Sequence, residues 1–294
     1  MNSEVIIMNN YKFRKILCRL ISLISRKIAF KGIRFCIRKF MKLIIGNNHI
    51  IIETSIENDI KMALDIHDTI QFDLFFFGQR DTDEIAYLRS NLKEGHVFID
   101  IGANIGYYTL VASKCVGNSG KVIAFEANPN NITMLKKNIQ LNNCDNVIIN
   151  NSAVSDINSK VKLSLPIRTD QSGWATLSKK GEYEKWPKVE VPATSIDYYL
   201  KKENINHVDL IKMDIEGAEV KALNGMENIL SSDNPVIISE INLDDLQAND
   251  TNIEELESIL NRHQYHAYSI INNSLEETWI SKNDESVRNV VFSK

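Results

Sequence analysis

Apolar and basic positions recur with helical spacing near the start of the chain. In residues 11–30 the apolar stripe consists of Phe13, Leu17, Leu20, Ile21, Ile24 and Ile28. The opposite side carries Lys12, Lys15, Arg19 and Arg26. This pattern predicts a basic amphipathic helix. Its longest uncharged run, residues 20–25, is far shorter than the ~20 apolar residues that span a bilayer.

Residues 49–66 contain two short β-type runs around a turn at residues 57–59, which predicts a β-hairpin. An aromatic stretch follows and leads into the rest of the chain. We therefore divide the chain into a basic amphipathic helical arm (1–48), a β-hairpin with a connecting segment (49–80) and a main domain (81–294).

The main domain alternates apolar β-runs with amphipathic helical stretches. The predicted strands are residues 96–101, 121–126, 146–150, 208–215 and 235–241, with an antiparallel edge pair at 265–271 and 277–280. The predicted helices are residues 107–115, 130–141, 219–230 and 253–262. Buried, Val/Ile-rich strands alternating with helices indicate an α/β fold, a mostly parallel sheet with helices on both faces.

Charge is divided unevenly along the chain. Residues 1–52 contain eleven Lys and Arg side chains against one Glu, a net charge of +10, whereas the whole chain carries −4. A cationic arm on an anionic body points to an anionic surface as partner, either membrane headgroups or nucleic acid. The arm can lie flat in the headgroup region of a membrane through residues 11–45, or it can pack its apolar stripe on the body.

The four cysteines form no CxxC pair and have no neighbouring His ligands. They suggest neither a zinc ribbon nor a disulfide framework. Basic residues interrupt every candidate signal-peptide core. We therefore expect a cytoplasmic protein, peripheral on the inner face of the membrane if the arm binds lipid.

The first candidate motif is DIGANIG, residues 100–106, between a predicted strand and helix. Glycines there let a turn approach a nucleotide closely, but the GxGxxG spacing of dinucleotide folds is absent. An acid ahead of the turn, Asp100, would repel a pyrophosphate yet accept hydrogen bonds from an ammonium. S-adenosylmethionine has an ammonium and no phosphate.

Two further turns fit the same ligand. Glu126 ends the second predicted strand, where a carboxylate can accept hydrogen bonds from both ribose hydroxyls, or it caps the next helix instead. Residues 150–153, NNSA, follow the third strand and either lie beside an adenine or form a plain polar turn.

The fourth motif is KMDIEGAE, residues 212–219, at the carboxyl end of the fourth main-domain strand. Asp214 and Glu216 alternate along an extended chain, so they share one face unless the backbone turns at Gly217. The alternative, a charged loop that caps the next helix, accounts for Glu219. Asp214 is our candidate for a residue beside a transferred group.

Five ordered segments then resemble one family. They are VFIDIGANIGYYTL, FEANPNNITMLKKNI, TSIDYYL, LIKMDIEGAEVKALNGM and PVIISE, within residues 77–241. Together they resemble the FkbM family of S-adenosylmethionine-dependent methyltransferases. One departure is Gln79-Arg80-Asp81 after Gly78, where family members often carry a Tyr-Glu pair.

The resemblance implies a class I methyltransferase (Rossmann-like) fold, a seven-stranded sheet of order 3-2-1-4-5-7-6, with S-adenosylmethionine as cofactor. It implies O-methylation of sugars, polysaccharides or other metabolites. The expected cofactor-binding residues lie in the three turns after the first three strands: Asp100, Gly102, Ala103, Asn104, Gly106, Tyr107, Glu126, Ala127, Asn128, Ser152 and Ala153.

Methyl transfer to a hydroxyl needs a base and a positioned acceptor. We expect Asp214 or Glu216 to take the proton, with Lys212 orienting the carboxylates or stabilising alkoxide charge. We expect no metal; the alternative is Mg²⁺ on Asp214, Glu240 and Asn242, since hard oxygen ligands suit that ion.

The sequence says least about the methyl acceptor. Residues 157–192 form an insert that we expect to shape its pocket, with Trp174 stacking on a sugar or serving as core or lid. Nucleic acid is disfavoured because the arm lacks interleaved exposed aromatics. A non-glycan acceptor, or a membrane-tethered nucleoside-binding module without turnover, are the competing functions, and the sequence leaves the oligomeric state open.

Overall fold

The computed structural model describes residues 2–28, 30–57, 60–271, 274–278 and 288–294, with side chains from residue 12 onward apart from those of residues 31 and 288. The chain divides into two units. One comprises residues 1–81 with 168–173, and the other comprises residues 82–167 with 174–294. The segments treated above as arm and hairpin thus belong to one unit.

The first unit begins with two helices, α1 (Asn2–Ser25) and α2 (Lys31–Ile45). The buried positions of α1 are Cys18, Ser22 and Ser25, which lie one helical turn apart on one face. This face is not the predicted apolar stripe, because Phe13, Leu20 and Ile24 are exposed. The hydroxyl of Ser25 instead donates to the carbonyl of Phe76.

A hairpin and a third helix complete this unit. Strands β1 (Ile51–Ser55) and β2 (Lys61–Asp65) pair antiparallel as predicted, and two residues of the predicted turn, 58 and 59, lie outside the described residues. Helix α3 (Thr69–Phe77) begins at Asp68, whose carboxylate accepts the N–H groups of Ile70 and Gln71. The aromatic stretch is therefore a buried helix.

The second unit contains the remaining elements. Its helices are α4 (Thr82–Asn91), α5 (Tyr107–Val116), α6 (Pro129–Leu141), α7 (Ile196–Glu203), α8 (Glu219–Asn224), α9 (Glu227–Ser232), α10 (Leu243–Ala248) and α11 (Ile253–Arg262). Its strands are β3 (Val97–Ile101), β4 (Lys121–Phe125), β5 (Val147–Asn150), β6 (Ala153–Val154), β7 (Ser159–Ser164), β8 (Lys188–Thr194), β9 (Leu210–Met213), β10 (Val236–Ile241), β11 (His266–Ile271), β12 (Ser274–Glu277) and β13 (Arg288–Ser293).

The main sheet has the order β12-β11-β13-β10-β9-β3-β4-β5. The ladders from β10 to β5 are parallel, and those that join β13 to β10 and to β11 are antiparallel. This is a class I methyltransferase fold, and the order expected from the resemblance is confirmed. Every residue of β9 is buried, as expected of a strand covered on both faces.

Three features of this unit differ from the sequence prediction. Strand β13 went unpredicted, and β12 adds an eighth strand at the edge; the predicted final strand extends to residues 279–280, outside the described residues. The helix predicted over 219–230 is two helices, because the chain leaves helical conformation at Gly225 and Met226, the C-cap of α8 and the N-cap of α9. A Cβ at Gly225 would lie 2.2 Å from the carbonyl oxygen of Ser155. The insert contributes β7 and part of β8 to a separate small sheet, whose third strand is β6.

Across the part of the chain that the structure describes, no helix is both long enough and apolar enough to cross a bilayer.

Candidate functional site

The glycine turn between β3 and α5 has left-handed backbone at three positions. The φ angles are +87° at Gly102, +50° at Asn104 and +95° at Gly106. Only glycine adopts the first and last at no steric cost, and asparagine tolerates the middle one. A Cβ at Gly102 would lie 1.9 Å from the carbonyl oxygen of Asp214. The turn therefore packs directly against the chain that leaves β9.

Asp100, at the end of β3, is buried and accepts a hydrogen bond from the hydroxyl of Thr109 in α5. Burial raises the pKa of Asp100 to about 6, while the Thr109 hydrogen bond and the charge of Lys212 lower it. The predicted acid thus lies behind the turn and is held by a polar partner from the following helix.

Glu126 joins two turns. Its Oε2 accepts the backbone N–H of Asn104 at 2.6 Å, and its Oε1 accepts that of Asn128 at 2.7 Å. Burial raises the pKa of Glu126 to about 7, although these two hydrogen bonds lower it. The cap of α6 is Asn128, whose side chain accepts the N–H of Asn130, with Pro129 at the first helical position. Glu126 therefore faces the glycine turn and does not cap the helix.

The third turn is tied to the second. The side-chain amide of Asn151 donates to the carbonyl of Glu126 at 2.9 Å, and that of Asn150 donates to the hydroxyl of Tyr199 at 3.1 Å. Ser152 is half-buried and Ala153 is buried at the start of β6. The three predicted turns thus meet at the carboxyl ends of β3, β4 and β5, where open α/β sheets bind ligands.

The residues of these turns fit a nucleoside cofactor. Asn104 Oδ1 is buried and has no hydrogen-bond partner among the described residues. Each oxygen of Glu126 accepts one backbone hydrogen bond, and an ionised carboxylate oxygen can accept more than one. Acceptors of this kind suit the amino and hydroxyl groups of S-adenosylmethionine. Ala127 is half-buried and Tyr107 is buried at the start of α5.

The end of β9 carries the predicted base. The N–H of Asp214 donates to the carbonyl of Ile101 at 3.0 Å, which fixes it beside β3. Its side chain is 39% exposed, whereas that of Lys212 is 2% exposed, and Lys212 Nζ lies 3.7 Å from Asp214 Oδ2. A buried ammonium therefore supports a carboxylate that solvent or substrate can reach.

The backbone is left-handed at Gly217, where the sequence allowed a turn, and also at Glu216 just before it, with φ angles of +93° and +52°. Burial and the charges of Asp214, Asp245 and Glu240 raise the pKa of Glu216 well above its usual range. Its carbonyl accepts the hydroxyl of Thr176 at 2.7 Å. Glu216 is thus held as a neutral acid over a wider pH range than an ordinary glutamate.

Glu219 has a larger role in this loop than the sequence indicated. Its Oε1 accepts the N–H groups of Ile215 and Gly217 at 3.4 and 3.3 Å, so it organises the loop as well as opening α8. Its Oε2 is buried without a partner among the described residues. Burial raises its pKa to about 7.

The β10 side adds two residues that sequence reasoning missed. Asp245, in the first turn of α10, is buried and accepts the hydroxyl of Tyr183 from the insert at 2.5 Å. A Cβ at Gly217 would lie 2.1 Å from the carbonyl oxygen of Asp245. The paired acids of residues 244–245 were a signal for this site, but nothing in the sequence spacing pointed to Tyr183.

One oxygen of the alternative magnesium site already accepts hydrogen bonds. Asn242 Oδ1 accepts the N–H groups of Asp244 and Asp245 as the N-cap of α10. Among the described residues, no group of three or more His, Cys, Asp and Glu side chains could hold a metal ion. Mg²⁺ on Asp214, Glu240 and Asn242 stays an untested prediction. Trp174, the predicted stacking residue, is 48% exposed.

Comparison with known proteins decides the family. The family model described as the methyltransferase FkbM domain matches residues 100–267. The chain belongs to the FkbM methyltransferase family. Its cofactor is S-adenosylmethionine, and the family predicted from the five segments is confirmed.

Individual relatives of this FkbM domain are distant. The chain is 27% identical over 158 residues to the hexuronic acid methyltransferase AglP of Haloferax volcanii. This aligned region covers 54% of this chain and 61% of AglP. A probable cobalt-precorrin-6B C(15)-methyltransferase of Sulfurisphaera tokodaii is 37% identical over 65 residues, 22% of this chain and 34% of that protein. The chain therefore spans about three fifths of the length of AglP and about a third of the length of the precorrin methyltransferase.

Solved structures include the methyltransferase FkbM of Methylobacillus flagellatus, with a TM-score of 0.43 and 15% identity over 69% of this chain and 44% of that one. TYW2 of M. jannaschii in complex with AdoMet has a TM-score of 0.45 and 18% identity, over 84% of this chain and 88% of that one.

Proposed function

We propose that this FkbM protein transfers the methyl group of S-adenosylmethionine to a hydroxyl of a sugar or glycan. The observation that carries the proposal is the position of Asp214. It is locked to β3 and to the glycine turn through its backbone, and its carboxylate is partly exposed at the carboxyl end of the sheet. A carboxylate beside the cofactor turn is what hydroxyl methylation requires.

The turns after β3, β4 and β5 would hold the cofactor. Glu126 would accept the ribose hydroxyls, Asn104 and the Gly102–Gly106 turn would meet the methionine end, and Ser152 with Ala153 would lie beside the adenine. When bound, S-adenosylmethionine supplies an electrophilic methyl group on a sulfonium. The chain contributes by orienting the acceptor oxygen in line and by excluding water.

Asp214 is better suited than Glu216 to take the acceptor proton. A group held neutral cannot accept a proton, and burial with four neighbouring carboxylates favours the neutral form of Glu216. Lys212 Nζ lies 3.7 Å from Asp214 Oδ2, and its ammonium would stabilise charge that develops on the acceptor oxygen. Glu216 would then donate a hydrogen bond to a sugar hydroxyl.

The acid-rich surroundings also bear on the acceptor. A carboxylate-bearing sugar would meet the carboxylates of Asp214, Glu240 and Asp245, and like charges at short range cost free energy. We therefore infer a neutral hydroxyl-bearing sugar or glycan, although the curated relative AglP acts on hexuronic acid by its name. Trp174, exposed in the insert, would stack on such a ring.

The test is methyl transfer from radiolabelled S-adenosylmethionine to neutral and uronic glycans and to small hydroxylated metabolites, with the methylated atom located by NMR. We expect O-methylated neutral sugar. Labelling of carbon or nitrogen, or only of non-glycan metabolites, would overturn the proposal. Turnover on any acceptor would remove the alternative of a binding module without turnover.

Asp214→Asn tests the base. We expect turnover to fall about 10²- to 10⁴-fold, with the affinity for S-adenosylhomocysteine changed by no more than a few fold. The exposed Asp145→Asn is the matched control. Unchanged turnover in Asp214→Asn would remove the assignment.

A further inference from the structure

Helix α1 exposes a continuous apolar stripe. Phe13, Ile16, Leu20 and Leu23 are 65, 59, 56 and 66% exposed, and their spacing of three and four residues places them along one side. Large apolar side chains that line up in this way form a patch, unlike the scattered single ones found on every protein surface.

Helix α2 repeats the arrangement. Ile33, Phe40 and Leu43 are 46, 56 and 83% exposed, and Cys36 is exposed between them. The spacing matches that of the α1 stripe position for position, twenty residues later in the chain. Two successive helices therefore present the same apolar ladder.

The opposite faces of both helices hold the unit together. Cys18, Ser22 and Ser25 of α1 and Met41 and Ile45 of α2 are buried. Polar links add to this packing: the guanidinium of Arg26 donates to the carbonyls of Ser55 and Phe75 at 2.7 and 3.1 Å. The apolar ladders thus remain available after the folding of the unit is complete.

Cations flank the ladders. No Asp or Glu occurs between residues 5 and 52, which contain eleven Lys and Arg side chains. Lys12 and Arg19 on α1, Lys27 in the turn after it, and Lys39 and Lys42 on α2 are exposed. An apolar stripe bordered by cations is the pattern of a helix that lies in the interface of an anionic membrane.

A pocket of about 460 Å³ continues the cationic surface. It is lined by Arg34, Arg38 and Arg80 together with Phe35, Phe77 and Asp73. Arg38 pairs with Asp73, and the guanidinium of Arg34 lies 4.8 Å from the centre of the Phe77 ring. Guanidinium groups are suited to bidentate binding of phosphate, as in a lipid headgroup.

We propose that α1 and α2 together form a docking surface for an anionic lipid bilayer. The apolar ladders enter the headgroup region and the flanking cations contact lipid phosphates. A second copy of the chain is a poorer occupant, because two surfaces of the same positive charge would face each other. The proposal is independent of the methyl-transfer reaction.

The test uses the full chain and sedimentation with vesicles of phosphatidylcholine alone or mixed with phosphatidylglycerol. We expect binding to the mixed vesicles only, weakened by salt. Leu20→Ser and Leu43→Ser should each reduce the partition coefficient roughly tenfold. Arg19→Gln and Lys39→Gln should each reduce it about fivefold.

Ile157→Ser and Ile167→Ser, at exposed apolar positions of the other unit, are the matched controls and should leave partitioning unchanged. Far-UV circular dichroism with urea unfolding, measured on every variant, reports whether the fold persists. Equal binding to both vesicle types, or no binding by the folded wild type, would overturn the proposal. So would a dimer in sedimentation that Leu20→Ser dissociates while vesicles stay unbound.

Discussion

The two halves of the site are built in opposite ways. On the β3–β4 side, Glu126 accepts backbone N–H groups from two turns, and Asp100 accepts the hydroxyl of Thr109. On the β9–β10 side, Glu216 lies among carboxylates, and Glu219 keeps one buried oxygen without a partner in the described part of the chain. The first half, the turns after β3 and β4, is a cradle whose carboxylates are hydrogen-bonded, and the second half concentrates like charge.

This difference separates two tasks. A cofactor that is the same in every turnover is best held by fixed backbone geometry, which costs no reorganisation. Activation of a hydroxyl needs a group whose proton affinity is tuned by its neighbours. In the acid-rich half, neighbouring carboxylates repel one another, and this repulsion is the cost of tuning such a group. The two halves should therefore respond differently to mutation and to pH.

The largest effect is expected from Gly102→Ala, where the two halves touch. The new Cβ would lie 1.9 Å from the carbonyl oxygen of Asp214 at a φ of +87°, so the turn must move. We expect loss of measurable S-adenosylhomocysteine binding by calorimetry. Gly181→Ala is the control, because its φ is +59° and no heavy atom lies within 4 Å of the added Cβ. Equal affinity in both variants would break the comparison.

Glu219→Gln tests the electrostatic cost of the acid-rich half. Burial, helped by the charge of Asp214, raises the pKa of Glu219 from 4.5 to about 7. The folded state therefore favours the protonated form, and this contribution is complete below pH 4.5 and is lost as the pH rises through about 7.

From about pH 5 to about pH 8, the wild-type free energy of unfolding should fall about 2–3 kcal/mol more than that of Glu219→Gln. Urea unfolding at several pH values measures this, and Glu203→Gln at an exposed position should follow the wild type. Parallel pH profiles for wild type and Glu219→Gln would contradict the account.

Tyr183→Phe gives a smaller effect on the same half. The change removes the hydroxyl that donates to buried Asp245 at 2.5 Å, which should lower the free energy of unfolding by about 1–3 kcal/mol. Tyr198→Phe, at a 51% exposed position, should have no effect. If the two variants unfold alike, the insert does not stabilise the acid cluster through this bond.

The cradle could be predicted from the sequence because local rules determine it. A strand tip, a Gly-x-Asn-x-Gly turn and an acid after the next strand restrict the backbone within a few residues. The alternation of apolar runs predicted the central strands, whereas their order was implied by the family resemblance. Asp100 and Glu126 were found from the turn and the strand ends.

Asp214 and Glu216 of the acid-rich half were predicted, but the contacts that hold this half together could not be, because they join distant segments. Tyr183 meets Asp245 across 62 positions, and Thr176 meets Glu216 across 40. No periodicity encodes such pairs. The apolar stripe of α1 left two partners open, a membrane surface or the body, because an amphipathic pattern shows which face is apolar and not what covers it. The buried face of α1 instead carries the small side chains of Cys18, Ser22 and Ser25.

The central claim is that the cradle holds the nucleoside through Glu126, and calorimetry of S-adenosylhomocysteine binding against pH tests it most directly. Burial raises the pKa of Glu126 to about 7, and ribose hydroxyls donate best to the ionised form, so wild-type affinity should fall as the pH drops below about 7. Glu126→Gln should bind about tenfold more weakly at pH 8 and lose this pH dependence, whereas Glu203→Gln should keep both. No binding by the wild type, or the same affinity and pH profile in Glu126→Gln, would contradict the account.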